Sequence, residues 1–410
     1  MNILHTSDWH IGRALYGRSR YQEYEAFLDW LCEVIEREAV DVLLVAGDVF
    51  DSSMPSNRSQ ELYYRFLRRV AAAPAPSSSG GRHVVIVAGN HDSPSFLNAP
   101  KELLKTLNVH VVGGAAPEDE VLALRNGQGD PEVIVCAAPY LRDRDIRVAE
   151  AGESIEDKER KLLDGIRNHY AEVAALAGQK REELGPGIDI PIVGMGHLFA
   201  VGGQSMEGDG TRDLYVGSLA HVPARIFPAC FDYLALGHLH APQKVNGSET
   251  MRYSGSPLPM SFSEAGRQKS VSLVTFQGRA ASARQIDVPE FQALERIQGD
   301  WDSIAGRIAE LAASGSSAWL EIVFDSPDII GDLRDRLDAA IVGTSLEILR
   351  VKNTRIIDRA LEQSHAGEAL EDLDENAVFE RCLCSHETPE DQRPELRRAY
   401  QETLASLHEL

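Results

Sequence analysis

The sequence predicts an α/β protein in which a mostly parallel sheet packs against a second sheet, followed by a small α/β unit and a helical tail. Three observations support this prediction. Short apolar runs alternate with helical patterns over residues 1–113, and strand-like runs are frequent over 120–290. After residue 290 the pattern changes to alternating strands and helices. Apolar strands that alternate with helices are typical of a parallel sheet covered on both faces.

The N-terminal region supplies the first sheet. Its strands are predicted at 3–5, 41–46, 84–88 and 109–112. Apolar residues at helical spacing predict helices over 21–37, 57–72 and around 98–106. The Pro-, Ser- and Gly-rich stretch PAPSSSGG at 74–81 predicts a loop between them.

The middle of the chain is expected to form the second sheet. Its strands are predicted at 121–124, 133–137, 190–194, 233–236 and 270–276. A polar, charged stretch over 154–178 predicts a helical insertion, and GQKREELGPG at 178–187 predicts a loop after it. We therefore expect one domain over residues 1–285.

The C-terminal region divides into two further parts. Strands and helices alternate at 293–352, with helices at 301–312 and 328–339 and strands at 318–324 and 346–351, which predicts a compact α/β domain over 290–353. Residues 361–410 hold 13 acidic and 4 basic residues and two weakly amphipathic stretches. This tail is either an exposed acidic segment or a helix pair that docks on a partner, because neither stretch could form a stable helix alone.

Bulk composition excludes several classes of protein. The net charge of −22 argues against coating nucleic acid by bulk charge, although bound divalent metals can supply local positive charge inside an acidic shell. No run of 18 apolar residues predicts a membrane span, and the N-terminus does not resemble a signal peptide, so a cytoplasmic protein is expected. The five scattered cysteines fit neither a disulfide framework nor a structural zinc site.

Polar side chains follow five predicted strands at the point where each strand ends. Ligands in open α/β sheets bind outside the carboxyl ends of strands, so these side chains are expected to converge. The candidates are Asp8, His10, Asp48, Asn90, His91, Asp92, His197, His238 and His240. A single aspartate after a strand is usually a turn residue, and a single histidine is usually structural. Five such strand ends together are hard to explain in that way.

The residue types indicate what the cluster would bind. Imidazoles, carboxylates and an amide suit manganese, iron or zinc better than calcium or magnesium. Seven of these residues, Asp8, His10, Asp48, Asn90, His197, His238 and His240, are the candidate ligands. They are too many for one ion and suit two ions about 3.5–4 Å apart, with Asp48 as the expected bridge. Two dications so placed would lower the pKa of a water between them towards ~7.

The order of the motifs DWH, GDVFD, GNHD, GMGH and GHLH resembles the calcineurin-like binuclear metallophosphoesterases over roughly residues 1–280. The strings HTSDWHIGRALYGRSR, FDYLALGHLHAPQ and YSGSPLPMSFSE are further similar to the nuclease subunits of the bacterial SbcCD complex. This resemblance implies two packed β-sheets flanked by helices, in an αββα arrangement. It also implies a capping domain at 290–353 and a tail at 361–410 that docks on the ATPase subunit.

The resemblance also assigns roles. One metal would be held by Asp8, His10, Asp48 and His240, and the other by Asp48, Asn90, His197 and His238. His91 would face the scissile phosphate as a catalytic group rather than a ligand, and Asp92 would orient its neighbours. Archaeal relatives carry a second histidine after the Gly-Asp motif, at the place of Asp51 in this chain.

The function implied is a two-metal DNA nuclease, with Mn²⁺ as the expected cofactor. It would act as a double-strand exonuclease and a single-strand or hairpin endonuclease in DNA end processing, repair, recombination and replication. Its partners would be DNA and an SbcC-like coiled-coil ATPase, and the family suggests a homodimer near the nucleoid. The alternatives are a small-molecule phosphodiesterase or phosphatase of the same superfamily, and a non-enzymatic scaffold, which the complete ligand set disfavours.

Residues near the first two motifs are candidate DNA contacts. Arginines close to strand ends can bind backbone phosphates, although a solvated charged face explains them almost as well. The candidates are Arg13, Arg18, Arg20, Asn57 and Arg58. Tyr16 and Phe262 could stack on a base, but packing within the fold is the favoured interpretation.

Overall fold

The computed structural model describes residues 1–72, 82–148, 150, 152–185, 187, 189–200, 222–326 and 332–353, together with five single residues in the tail. These five are Phe379, Leu383, Arg393, Arg397 and Tyr400, all helical. The predicted loop at 74–81 lies outside the described residues. The chain forms two compact units. One comprises Met1–Arg296, Gly315–Glu321 and Thr344–Leu349, and the other Ile297–Ser314, Ile322–Gly343 and Arg350–Leu410.

The described residues contain strands that fall into three sheets. In chain order they are β1 (Asn2–Thr6), β2 (Val42–Ala46), β3 (His83–Val87), β4 (Val109–Val112), β5 (Val121–Arg125), β6 (Pro131–Ala137), β7 (Ile192–His197), β8 (Tyr233–Gly237), β9 (Gln243–Lys244), β10 (Met251–Tyr253), β11 (Ser270–Gln277), β12 (Ala280–Asp287), β13 (Leu294–Gly299), β14 (Trp319–Phe324) and β15 (Glu347–Asn353).

The helices that accompany these strands vary widely in length. They are α1 (Tyr21–Arg37), α2 (Asn57–Ala72), α3 (Pro94–Asn98), α4 (Lys101–Lys105), α5 (Pro117–Glu120), α6 (Asp143–Ile146), α7 (Ile155–Leu184), α8 (Trp301–Ala313) and α9 (Leu333–Ile341). None of the helices in the described part of the chain is long and apolar enough to cross a membrane.

The first sheet has the strand order β12-β11-β1-β2-β3-β4. Strands β1 to β4 are parallel, and β11 and β12 add an antiparallel hairpin at the β1 edge. The parallel strands are connected through helices, which the connection between parallel strands commonly requires. Their carboxyl ends therefore lie along one edge of the sheet.

The second sheet has the order β5-β6-β7-β8-β10-β9. Strands β6, β7, β8 and β10 run parallel, while β5 and β9 pair antiparallel at the two edges. Helix α7, which connects β6 to β7, is 30 residues long and begins with the cap Ser154, whose side chain accepts a hydrogen bond from the Asp157 backbone.

Buried apolar clusters show how these layers pack. Side chains from both sheets, such as Leu44 of β2 and Val135 of β6, share one cluster between the sheets. Phe27 of α1 and Phe66 of α2 pack on the outer face of the first sheet. The side chain of Ile166 in α7 belongs to a cluster with residues of the second sheet. The order of layers is helix, sheet, sheet, helix, so the predicted fold class is confirmed.

The third sheet has the order β13-β14-β15. Helices α8 and α9 contact one another, and the Arg336 guanidinium lies over the Trp301 ring at 5.7 Å from its centroid. In the tail, the rings of Phe379 and Tyr400 stack with their centroids 4.0 Å apart.

Two predictions differ from the structure. The strand predicted at 270–276 in the second sheet is β11 (Ser270–Gln277), which belongs to the first sheet, where it pairs antiparallel with β1, because the order of strands along the chain does not determine which sheet edge a strand joins. The second difference follows residue 178. The loop predicted at 178–187 was wrong over its first seven residues, because α7 continues to Leu184 and ends before Gly185, which has a φ of 134°. Gly178 had suggested an earlier end, but a Cβ there would meet no neighbour, and Ala177 is fully buried against the second sheet. Tertiary packing thus outweighs the low helix propensity of glycine.

Candidate metal centre

The predicted ligands lie where strands of the two sheets end. Asp8 and His10 follow β1, Asp48 follows β2, and Asn90 follows β3. From the second sheet, His197 is the last residue of β7, and His238 and His240 follow β8. The structure brings carboxyl ends from both sheets to the same place, as ligand binding in open α/β sheets requires.

The backbone at four of these positions adopts a left-handed conformation. Asp8, His10 and Asp48 have φ angles of 53°, 48° and 51°, and His238 has a φ of 102°. Non-glycine residues rarely adopt positive φ, and such strain concentrates at functional sites. Hydrogen bonds between the loops hold the backbone in this conformation. The Asp8 N–H donates to Gly47 O at 3.0 Å, and the His10 N–H donates to Asp48 O at 2.9 Å.

Asp48 lies at the centre of the cluster. Its Oδ2 is 3.3 Å from His197 Nε2 and 3.6 Å from His10 Nε2, and its Oδ1 accepts the His91 N–H at 2.8 Å. Burial alone would raise the pKa of this carboxyl, but His197 and then His10 lower the pKa well below its ordinary value. Asp48 therefore stays ionised in contact with histidines of both sheets.

Asp8 is fully buried beside Asp48. It accepts the His238 N–H at 2.9 and 3.1 Å and the Ser7 hydroxyl at 2.5 Å. Burial raises the pKa of Asp8 to about 7, and the negative charge of Asp48 adds to this, although His197 opposes it. Because the buried carboxyl groups of Asp8 and Asp48 lie close together, their negative charges repel, and a bound cation relieves this repulsion.

The imidazoles present their Nε2 atoms to this centre. His197 Nδ1 donates to Ala46 O at 2.9 Å, while its Nε2 lies 3.0 Å from Asn90 Oδ1. The Nε2 atoms of His10 and His240 are 3.3 Å apart. Burial lowers the pKa of His197, but Asp48 and then Asp8 outweigh it and raise that pKa to about 9. In the metal-free chain, protonated His197 therefore supplies positive charge beside the carboxyl groups of Asp48 and Asp8.

Three sets of buried groups bring their ligand atoms within 4.8 Å of one another. They are Asp8, His10 and His240; His10, Asp48 and His91; and Asp8, Asp48 and His197. His238 belongs to none of the three, although its ring lies 5.4 Å from the ring of His197. The chain can therefore bind divalent metal ions here, and nitrogen and oxygen donors without a thiolate suit first-row transition metals.

His91 differs from the other histidines of the site. Its Nδ1 donates to Asp51 O at 2.9 Å, and its ring lies edge-on to that of His10, with centroids 4.7 Å apart. At 8% exposure it is the most accessible of the site histidines. Both a ligand role and the predicted catalytic role are open to its Nε2 atom.

Asp92 connects two of the ligand loops. It is buried, and its carboxylate accepts the N–H groups of Val49 at 3.1 Å, Phe50 at 3.0 Å and Gly89 at 2.9 Å. Burial, and then the charge of Asp48, raise the pKa of Asp92 to about 6. These hydrogen bonds connect the loop that carries Asp48 to the loop that carries Asn90, and the orienting role that the resemblance implies for Asp92 agrees with them.

Close backbone approach explains one glycine of the motifs. A Cβ on Gly89 would overlap Asp48 Oδ1 and the Asp48 backbone nitrogen. No side chain can be accommodated there without displacing the central carboxylate.

The predicted DNA contacts occupy different environments. The prediction of a DNA contact was wrong for Arg20, because its side chain is fully buried. This side chain forms a salt bridge with Glu23 at 2.7 Å and donates to Pro259 O at 2.6 Å, so Arg20 is a structural residue. Arg18 is half-exposed and pairs with Glu347 at 2.7 Å. Arg13 is less exposed and lies 3.4 Å from Asp51.

The second group of predicted contacts lies at the start of α2. Asn57 is the first residue of this helix and is exposed, and the Arg58 guanidinium lies over the Tyr21 ring at 4.4 Å. Tyr16 and Phe262 stack on one another with centroids 5.5 Å apart, and Phe262 is buried. Packing within the fold, the favoured interpretation of this pair, agrees with these contacts.

Sequence reasoning missed a buried polar group behind His240. Glu264 Oε1 lies 3.8 Å from His240 Nδ1, and the Lys269 ammonium forms an ion pair with Glu264. Ser256 Oγ accepts from Lys269 at 2.9 Å. The string YSGSPLPMSFSE contained Ser256 and Glu264, but nothing in its spacing indicates contact with a residue 24 positions earlier.

Comparison with protein families and curated proteins agrees with this geometry. The family profile described as calcineurin-like phosphoesterase matches residues 1–170, and the profile described as type 5 capsule protein repressor C-terminal domain matches 290–387. The three ligand histidines of the second sheet lie between the two matched regions.

Similar proteins cover nearly the whole chain. The SbcD component of the nuclease SbcCD from Escherichia coli (strain K12) is 36% identical over 99% of this chain and 98% of its own. The protein of the same description from Rhodobacter capsulatus is 35% identical over 87% of this chain and 88% of its own, and that from Bacillus subtilis (strain 168) 36% over 67% and 66%. The chain therefore belongs to the SbcD family of nuclease subunits, phosphodiester hydrolases with a calcineurin-like phosphoesterase domain.

Proposed function

We propose that this chain is the nuclease subunit of a complex with an SbcC-like coiled-coil ATPase, and that it cleaves DNA at duplex ends, single strands and hairpins. The observation that carries the proposal is the convergence of six further ligand residues from both sheets around Asp48, all of them buried except Asn90, which is half-buried. The family includes nucleases by name. End processing in DNA repair, recombination and replication is the corresponding cellular role.

The ligands divide between two cation positions around Asp48. Asp8, His10 and His240 would hold one ion with Asp48, and Asn90, His197 and His238 would hold the other. Two divalent ions, for which we propose Mn²⁺, supply charge neutralisation of the phosphodiester and an activated water. The protein contributes loops joined by backbone hydrogen bonds, an ionised Asp48, and the Nε2 atoms of His10, His240 and His197, which already face the cation positions.

His91 is proposed to act on the substrate rather than on the metals. The hydrogen bond from its Nδ1 to Asp51 O fixes the tautomer, and its position at the accessible side of the cluster lets Nε2 approach the scissile phosphate. A protonated His91 can donate to the leaving oxygen. Its backbone N–H, which donates to Asp48, keeps the ring in register with the metal positions.

DNA contacts are proposed at the exposed cations near the first two motifs. Arg18 is about half-exposed, and its salt bridge to Glu347 is an exposed pair of the kind that contributes little stability. Replacing the Glu347 carboxylate by a DNA phosphate as the partner of Arg18 therefore costs little free energy. Arg58 and Asn57 lie at the exposed start of α2, and Arg13 is close to the metal loops.

The ATPase is proposed to dock on the tail at 361–410, with the capping domain at 290–353 and the nuclease domain at 1–285 as the remaining parts. The tail carries a net charge of −9. Phe379 and Tyr400, one from each of the two amphipathic stretches, stack on one another, and this contact supports the proposal. Removal of 361–410 is expected to leave hydrolysis of a small diester intact and abolish co-purification with the ATPase, and normal co-purification would contradict this docking site.

We further propose that the chain forms a homodimer in the cytoplasm, near the nucleoid. The chain mass is 45.0 kDa. Light scattering at micromolar concentration is expected to give twice that mass, and a value equal to one chain would contradict the dimer.

The catalytic proposal is tested with the metal-free chain. An end-labelled linear duplex and bis-p-nitrophenyl phosphate are incubated with and without Mn²⁺, beside an Asp48→Ala control. Mn²⁺-dependent shortening of the duplex that is absent in the control is the expected result. Hydrolysis of the small diester alone, unchanged when the ATPase partner and ATP are added, would instead identify a small-molecule phosphodiesterase.

A further inference from the structure

The Nδ1 atoms of three ligand histidines face acceptors on the side away from the cation positions. His197 Nδ1 donates to a backbone carbonyl, whereas the other two face carboxylates. His10 Nδ1 lies 3.5 Å from Asp51 Oδ1, and His240 Nδ1 lies 3.8 Å from Glu264 Oε1. The Nε2 atoms of His10 and His240 meet at 3.3 Å on the opposite side of the rings.

The Glu264 carboxylate is itself held in place. The Lys269 ammonium pairs with its Oε2, and the Met260 N–H donates to the same oxygen at 3.3 Å. Lys269 also donates to His240 O at 3.0 Å. The side chains of Glu264 and Lys269 are 3% and 6% exposed. Anchored through one oxygen, the carboxylate directs the other towards His240.

Asp51 occupies the corresponding position beside His10. Arg13 Nη1 lies 3.4 Å from Asp51 Oδ1, and the Asp51 backbone carbonyl accepts a hydrogen bond from His91 Nδ1. The Asp51 side chain is 34% exposed, so its interaction with His10 is more strongly screened by solvent than that of Glu264 with His240.

We propose that Glu264 and Asp51 are positioning residues that hold His240 and His10 as Nδ1–H tautomers, so that both Nε2 lone pairs point at the one cation position that these histidines share with Asp8. This inference rests on the proposed function, since it takes the histidines as metal ligands. A carboxylate behind a ligand imidazole fixes its ring and makes it a stronger donor. Separations of 3.5 and 3.8 Å exceed a hydrogen bond and need only a small side-chain movement to form one.

The consequence is a difference between the two cation positions. One has two imidazoles backed by carboxylates, and the other has His197 backed by the Ala46 carbonyl. Loss of Glu264 or Asp51 therefore weakens one position and leaves the other unchanged. If Glu264 served only as the counterion of Lys269, its loss would affect folding but neither position selectively.

The test is calorimetric titration of Mn²⁺ into the metal-free full-length chain. The variants are Glu264→Gln and Asp51→Asn, with Glu120→Gln as a matched control, because Glu120 is a buried carboxylate that contacts His169 at 2.8 Å away from the site. Since Glu264→Gln leaves the Lys269 ammonium buried without its carboxylate, the double variant Glu264→Gln/Lys269→Met is titrated as well. Thermal unfolding of each metal-free variant reports folding separately.

In Glu264→Gln we expect one of two Mn²⁺ sites to weaken about 10–100-fold while the other keeps its wild-type affinity. Asp51→Asn is expected to weaken the same site by a smaller factor, and Glu120→Gln is expected to weaken neither site. The double variant is expected to regain thermal stability but not Mn²⁺ affinity. Two unaffected sites in both single variants, or restored affinity in the double variant, would overturn the inference. A wild-type chain that binds no Mn²⁺ would instead overturn the proposed function.

Discussion

The charge state of a few residues controls this site. Asp8, Asp48 and His197 share one buried volume, and the pKa of Asp8 is raised to about 7 by burial while that of His197 is raised to about 9, mainly by Asp48. A divalent metal ion held by Asp8, Asp48 and His197 would take the place of the proton on His197. The ligand atoms are thus arranged for positive charge before a metal arrives, which lowers the reorganisation needed on binding.

Replacement of His91 tests the division between ligands and catalytic groups. His91→Ala is expected to bind metal as the wild type does and to lose about 10²–10⁴-fold in cleavage rate, because a general acid of this kind contributes that factor. Elemental analysis and hydrolysis of a duplex are the measurements. Loss of one metal equivalent from this variant would show that His91 is a ligand.

Much of the site could be predicted at this scale and part could not. The seven ligand candidates follow strands, so strand prediction alone indicated their convergence. Arg20 was predicted as a DNA contact because it follows a metal motif, but its i,i+3 partner Glu23 neutralises it in a buried pair. Contacts such as Glu264 with His240 depend on tertiary packing, and sequence spacing does not specify them.

Among the secondary-structure elements, the loops after β2 and β3 are packed too closely to accept a side chain. Gly89→Ala is expected to displace Asp48 and weaken Mn²⁺ binding at least tenfold, because the added Cβ would overlap the Asp48 carboxylate. Gly178→Ala is the control: this glycine lies in α7 with open space around it, so the variant should gain about 0.5–1 kcal/mol of stability. Titration calorimetry and urea unfolding measure the two effects. Equal Mn²⁺ affinity in both variants would contradict the packing argument.

Strands β3 and β4 carry a histidine pair that makes stability depend on pH. His83 Nδ1 and His110 Nε2 lie 3.3 Å apart, and burial, then His83, lower the pKa of His110 to about 4. The unfolded chain takes up this proton near pH 6.5, so the stability contributed by neutral His110 is present above 6.5 and is lost as the pH falls towards 4. In urea unfolding, His110→Gln should lose less stability than the wild type over this window. Parallel pH profiles would contradict the assignment.

Element prediction was accurate where periodicity was strong and failed where packing decides. Strands β1 to β4 are apolar and short, and the helices between them have clear apolar stripes. The end of α7 was misplaced because Gly178 and charged residues suggested a loop, whereas burial of Ala177 and the glycine at position 185 determine where the helix ends.

For the whole molecule, the family, the enzyme class and the layered fold predicted from the motifs are confirmed. Pairing of the sheets could be expected only in outline, since the antiparallel hairpin β11–β12 joins the first sheet from the far end of the domain. That hairpin closes the chain back on β1, next to the loop that carries Asp8 and His10. Under the proposed function, an acidic chain with a net charge of −22 would need its metal ions and a few exposed arginines to attract a polyanion.

The central claim is that two cations bind around Asp48, and diffraction from crystals soaked in Mn²⁺ tests it most directly. At the manganese edge, we predict two anomalous peaks about 3.5–4 Å apart, with Asp48 between them and His91 bound to neither. A single peak, or a peak coordinated by His91, would contradict the account.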